Sequence, residues 1–157
     1  MGKGTTIICA ADSNYFGLVR GLILSIKEKP EGRGIPISVL DLGFTNDQLG
    51  WLRKHAAAIE SPDWHFDFSD RDRVPGYYRA MLARPYLRDY FPGYDSYLFI
   101  DSDAWVQDWT AVEIYIRATE KGKLGITPQL DRAYNVHYKR PKILGWTQNY
   151  KCFRWSY

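Results

Sequence analysis

Apolar residues in this chain gather into short continuous runs, separated by stretches in which they recur every three or four positions. Thr5–Ala11 (TTIICAA) is continuous, the pattern of a parallel strand covered on both faces. From about Asn14 to Glu28 the apolar positions Tyr15, Leu18, Val19, Leu22, Ile23 and Ile26 fall at helical spacing, and Pro30 stops the helix. Ile35–Leu42 reads as a second strand. Thr45 opens a helix with Gln48 three residues on, the capping-box pattern, and its stripe continues through Leu49, Leu52 and Ile59.

Trp64–Phe68 (WHFDF) alternates and predicts a third strand, with Ser69–Arg73 a polar loop. Pro75 suits the first turn of a helix toward Tyr90, broken or restarted at Pro85. Tyr97–Ile100 (YLFI) is another buried strand, ending in Asp101–Ser102–Asp103. A helix near Thr110–Lys121 and a strand near Lys123–Thr127 follow. Strand and helix alternating at this spacing predict an α/β fold: a mostly parallel open sheet with helices on both faces.

Such sheets bind ligands beyond the carboxyl ends of their strands. Two strands here end alike, in Ala10–Ala11–Asp12 and in Asp101–Ser102–Asp103, and both place carboxylates on that side. On an extended segment, acids at i and i+2 point the same way and can approach one cation. Two hard oxygen donors suit Mn²⁺ or Mg²⁺. The bland alternative is two acids facing solvent in a polar turn. At Asp12–Tyr15 a helix N-terminus would favour an anion, against plain capping by Asp12 or Ser13 with Tyr15 in the core. Arg79 has the chemistry to grip a phosphate, although taken locally a solvated helix face explains it better.

Together these segments resemble a GT-A-type glycosyltransferase of family 8, the group of the lipooligosaccharide galactosyltransferases and glycogenin. IICAADSNYFGLVRGLILSI is similar to that group's opening strand and helix. YYRAMLARPYLRDYFPGYDSYLFIDSDAWVQD is similar to its Tyr–Arg helix, apolar strand and Asp-x-Asp motif. The resemblance implies the N-terminal part of a Rossmann-like nucleotide-diphospho-sugar transferase fold. It implies that Ala10, Ala11, Asp12 and Asn14 meet the uridine, with Tyr15 stacked on the base. Arg79 would lie near the donor's phosphate or sugar, and Ser102 beside the ribose. Asp101 and Asp103 would bind Mn²⁺ (or Mg²⁺). The implied partners are a UDP-sugar donor and a carbohydrate or glycolipid acceptor. The resemblance identifies no catalytic base, and neither the sugar nor the stereochemical outcome follows from it. The family's third metal ligand, a His in a His-x-x-Gly motif, has no counterpart. His137 follows Asp103 too soon, and His55 and His65 read as structural.

Composition changes this picture little. At 45% hydrophobic, 25% charged and 16% aromatic, 157 residues are a globular chain with a real core. Charge matters more. Residues 1–131 carry fifteen basic residues against eighteen acids, whereas residues 132–157 carry six basic residues and no acid. This divides the chain into a nucleotide-sugar-binding domain, 1–130, and a basic aromatic segment, 131–157. That segment interleaves Lys and Arg with Trp and Tyr as a nucleic-acid patch would. The start of an acceptor-side region cut short explains it better, so no nucleic-acid partner is expected.

A chain cut there is expected to bind a UDP-sugar, to transfer it poorly, and to leave apolar surface for self-association as a homo-oligomer. Cys9 and Cys152 form neither a metal-ligand spacing nor a disulfide framework, and no signal peptide or transmembrane run is present, so a reducing cytoplasm is expected. A non-catalytic nucleotide-sugar-binding fragment is the nearest alternative. A haloacid-dehalogenase-type phosphatase, which also uses Asp-x-Asp after an apolar strand, fits less well, because Val106 stands three residues after the second Asp instead of two.

Overall fold

The computed structural model describes residues 4–68, 71–119, 122 and 124–126. Within them four strands form one parallel sheet: β1 (Thr5–Ala11), β2 (Ile37–Asp41), β3 (Ala58–Glu60) and β4 (Ser96–Phe99), in the order β3-β2-β1-β4. The helices are α1 (Phe16–Glu28), α2 (Asn46–His55), α3 (Tyr78–Ala83), α4 (Leu87–Tyr90) and α5 (Trp109–Thr119). The fold is α/β, as the alternation of strand and helix predicts.

The continuous apolar run of β1 serves both faces. Ile7, Cys9 and Ala11 pack against Val19, Leu22, Ile23 and Ile26 of α1, Leu52 of α2 and Val112 of α5. Ile8, from the opposite side of the pleat, packs with Leu40 of β2 against Ala83, Leu87 and Phe91. Each large aliphatic side chain so buried contributes about 1.5–3 kcal/mol relative to exposure. The β1–β2 pair also buries two hydroxyls, Thr6 and Ser38, which satisfy each other at 3.1 Å. Helix α2 carries the complete capping box: the Thr45 hydroxyl accepts from the Gln48 N–H, and the Gln48 side chain accepts from the Thr45 N–H at 2.9 Å.

Several expected elements take another form. Trp64–Phe68 is not a strand. Its alternating side chains meet other aromatics instead: Trp64 lies edge-on to Phe68, and His65 stacks on Tyr86 at 4.0 Å while its Nε2 meets the Tyr90 hydroxyl. The third strand is Ala58–Glu60, so Ile59 belongs to the sheet and not to the stripe of α2, which ends at His55. Leu124, Gly125 and Ile126 form no strand; Lys123 and Thr127 lie outside the described residues. Tyr15, just ahead of α1, and Leu18 within it fit the helical spacing yet stay exposed. The segment 131–157, with His137 and Cys152, also lies outside the described residues. Among those described, no helix is long and apolar enough to cross a membrane.

Candidate functional site

The strand order sets where a ligand can enter. From β1 the chain winds through β2 to β3 on one side, then returns to lay β4 on the other side of β1. The order therefore reverses between β1 and β4. At such a reversal the loops leaving the two strands diverge and open a crevice at their carboxyl ends. Both acidic turns singled out from the sequence leave these two strands. The β1–β4 register pairs Ile8 with Phe99, and the Ile100 N–H donates to Ile8 O at 2.9 Å.

The first turn follows β1. Ala11 is buried, Ala10 and Asp12 are half-buried, and Asn14 and Tyr15 are exposed. One carboxylate oxygen of Asp12 accepts from the N–H groups of Asn14 (2.9 Å) and Tyr15 (3.2 Å), capping the short helical turn Ser13–Tyr15 that leads into α1. These N–H groups therefore meet Asp12 itself, the capping alternative for this turn. The turn is buttressed from the β2 side. Ser13 N–H donates to Gly43 O at 3.2 Å, the Gln48 side chain donates to Ser13 O at 3.1 Å, and Leu42 N–H donates to Ala11 O at 3.0 Å. Gly43 has φ +127°, a conformation that side-chain-bearing residues rarely adopt.

The second turn follows β4, and the Asp pair is not extended. Asp101 O accepts from Ala104 N–H at 3.0 Å, closing a four-residue turn through Ser102 and Asp103. The same-side argument for i and i+2 thus does not carry over, because it holds only for extended backbone. Both carboxylates are nonetheless exposed, with Ser102 half-buried between them. Beyond the turn, Val106 N–H donates to the buried Ser25 hydroxyl at 3.1 Å, and that hydroxyl donates to Leu22 O at 2.8 Å. This fastens the loop across α1. Trp105, bulky for its place, lays its ring over Gly21, where a side chain would stand 3.5 Å from it.

Two arginines separate in role. Arg79 spends its guanidinium on backbone carbonyls: Gly76 O at 3.2 Å, Pro62 O at 3.3 Å and Leu42 O at 3.5 Å. Arg84, which the sequence reading passed over, places Nη2 at 2.6 Å from the Asp101 carboxylate and its guanidinium carbon 4.3 Å from the Phe99 ring centre. It lies in the short turn Arg84–Tyr86 that Pro85 helps to start. Nothing in the local pattern distinguishes it from Arg79, since its partner is seventeen residues away.

Whether a divalent cation fits can be judged from the donors. Asp101 and Asp103 offer hard, exposed oxygens, suited to an ion that takes its remaining ligands from phosphate and water. Among the described residues no group of three His, Cys, Asp or Glu side chains gathers as a metal site. The fit is that of a partial site, with one carboxylate already shared with Arg84. A cavity of about 390 Å³ at the α2–β3 edge, lined in part by Asp41, Arg53 and Ile59, includes none of these residues.

No protein-family profile matches the chain, and no curated protein does so significantly. Solved structures similar to it include the galactosyltransferase LgtC in complex with donor and acceptor sugar analogues, at 25% identity and a TM-score of 0.48. An active-site mutant of LgtC is similar at 24% identity and the same TM-score. Each match covers 68% of this chain and 41% of the other, so the chain spans about two fifths of the length of these structures.

Proposed function

We propose that this chain carries the donor-binding part of a metal-dependent glycosyltransferase that takes a sugar from a UDP-sugar and delivers it to an acceptor hydroxyl. One observation carries the reading. Two turns, Asp12–Tyr15 and Asp101–Ala104, flank the point where a parallel sheet reverses its strand order, which is where such sheets receive nucleotides. The family resemblance of the residues in both turns supports it independently.

In this reading the β1 turn presents Ala10, Ala11, Asp12 and Asn14 to the uridine, and the exposed Tyr15 offers a ring for the base. Asp101 and Asp103 hold the cation, and Ser102 stands next to the ribose. A bound Mn²⁺ or Mg²⁺ would supply Lewis-acid stabilisation of the departing diphosphate. Arg84 holds one of the two carboxylates in place and adds positive charge beside it. Arg79 acts from behind by fixing loops and leaves the phosphate to other groups.

Calorimetric titration of the full chain with UDP, in the presence and absence of Mn²⁺, tests the reading. Binding that requires Mn²⁺ is the expected result. A chain that fails to bind UDP under both conditions is not a UDP-sugar enzyme.

A further inference from the structure

Three phenol rings lie exposed at the surface. Tyr15 closes the turn after β1 and is 53% exposed; Tyr77 and Tyr78, at the start of α3, are 52% and 40% exposed. Tyr77 and Tyr78 stack, with ring centres 4.7 Å apart and planes 24° apart. A hydrogen bond to Tyr78, desolvation and the nearby phenols of Tyr78 and Tyr15 hold the Tyr77 hydroxyl above its usual pKa.

The backbone explains why these rings come together although 62 residues separate Tyr15 from Tyr77. Loop 42–43 is bonded to the β1 turn through Leu42 N–H to Ala11 O and Ser13 N–H to Gly43 O. Arg79 donates to Leu42 O of the same loop, and also to Pro62 O and to Gly76 O just ahead of the tyrosines. One guanidinium thus pins the tyrosine pair to the loop that supports Ser13. Rings this open contribute little to folding, and neighbouring exposed apolar rings are the feature of a surface that calls for a ligand.

We propose that Tyr77 and Tyr78 form a second aromatic wall of the nucleobase site, facing the same ring as Tyr15, and that Arg79 is the positioning residue that sets this wall. The inference rests on the UDP-sugar reading and adds the base-recognition residues to it. A base is preferred over a sugar as the occupant because it has a π-face on each side and gains from two aromatic walls. A hexose offers C–H groups mainly on one face.

Calorimetry on the full chain with Mn²⁺, using UDP and then pyrophosphate, tests this. The Tyr77→Ala/Tyr78→Ala pair should weaken UDP binding at least about fivefold, the lower end of base stacking, and leave pyrophosphate unchanged. Tyr77→Phe/Tyr78→Phe should keep the affinity. Should the alanine pair not fold, Tyr77→Leu/Tyr78→Leu retains apolar bulk without a π-face and should show the same loss. Arg79→Lys keeps the charge but cannot bridge three carbonyls, so it too should weaken UDP and spare pyrophosphate. A direct phosphate contact by Arg79 would weaken both, and that result overturns its role as positioning residue. Intact UDP affinity in folded variants lacking both rings overturns the second wall and leaves the UDP-sugar reading standing. Weaker UDP-galactose binding with unchanged UDP binding would hand the wall to the sugar and overturn it likewise. Failure of the unmodified chain to bind UDP removes both proposals together.

Discussion

Arg84 Nη2 lies 2.6 Å from the Asp101 carboxylate, and the guanidinium rests 4.3 Å above the ring of Phe99, the last residue of β4. Two acids one residue apart at a strand end repel, and this arginine relieves the repulsion. It also competes with any cation for Asp101. Both side chains are substantially exposed, so the pair falls in the range of surface ion pairs, about 0.2–1 kcal/mol. Arg84→Gln should therefore tighten the binding of Mn²⁺ alone, by no more than about fivefold. A titration followed by the paramagnetic resonance of free Mn²⁺ measures this directly. Weaker Mn²⁺ binding in the variant would show that Arg84 orders the site more than it competes for it.

Replacing Asp101 or Asp103 with Asn keeps the size of the side chain and removes its charge. Each change should lower Mn²⁺-dependent UDP affinity at least about tenfold, or ~1.4 kcal/mol. Asp101→Asn also frees Arg84 to reach a phosphate, so its loss should be the smaller of the two. Calorimetry on both variants checks the magnitude and the order. Unchanged affinity in both would remove the pair from the metal site.

Much of the architecture was legible because it rests on local pattern. Thr5–Ala11 is a strand over the whole predicted range, Pro30 follows the end of α1, and the Thr45–Gln48 box opens α2. Misses arose where the deciding contact is distant in sequence. Trp64–Phe68 has strand-like alternation, but its His65 finds Tyr86 and Tyr90, and its Trp64 finds Phe68, instead of a neighbouring strand. Three-residue β3 is too short to show any period. Helical spacing grouped Tyr15 with core positions because periodicity reports where a side chain points, not whether anything covers it. Arg79 and Arg84 are five residues apart, and only the fold assigns one to carbonyls and the other to Asp101.

The loop that follows the Asp101 turn hangs on one hydroxyl. Ser25 is fully buried in α1 and accepts the Val106 N–H, which has no water to turn to when the hydroxyl is removed. Ser25→Ala should cost about 1–3 kcal/mol, the penalty of an unsatisfied buried donor. Urea unfolding gives the magnitude. Because that loop leads out of the Asp turn, Mn²⁺-dependent UDP affinity should weaken as well. A variant with unaltered stability would mean that the loop repacks and satisfies Val106 elsewhere.

Tyr15 separates a binding role from a packing role cleanly, because half of its surface is open. Tyr15→Ala should leave the midpoint of thermal unfolding nearly unchanged while weakening UDP by about 1–3 kcal/mol, the usual worth of a base on an aromatic ring. Tyr15→Phe should retain most of the affinity. A folded Tyr15→Ala chain that binds UDP normally would return this residue to the surface.

Cys9 sits at the centre of β1 with no exposed surface, and burial pushes its thiol from an ordinary value of 9.0 up to about 12. The cause is desolvation: the thiolate is disfavoured in an apolar core, while the neutral thiol packs as a small hydrophobe. Below pH 9 the thiol is protonated in both the folded and unfolded chain and adds no pH dependence. Between pH 9 and about 12 the unfolded chain releases this proton and the folded chain keeps it. Stability therefore falls with rising pH in that window, by up to ~1.4 kcal/mol per pH unit from this group. Tyr and Lys residues titrate there too, so a comparison with Cys9→Ala isolates the effect. The stability difference between the two chains, from urea unfolding at pH 8, 9, 10 and 10.5, should stay flat to pH 9. Above it the difference should move against the unmodified chain by about that slope. Iodoacetamide should likewise leave the Cys9 peptide unlabelled until denaturant is added. Parallel pH profiles in the two chains, or labelling of native Cys9, would mean that the strand opens to solvent readily and that β1 is not the rigid wall on which both turns are built.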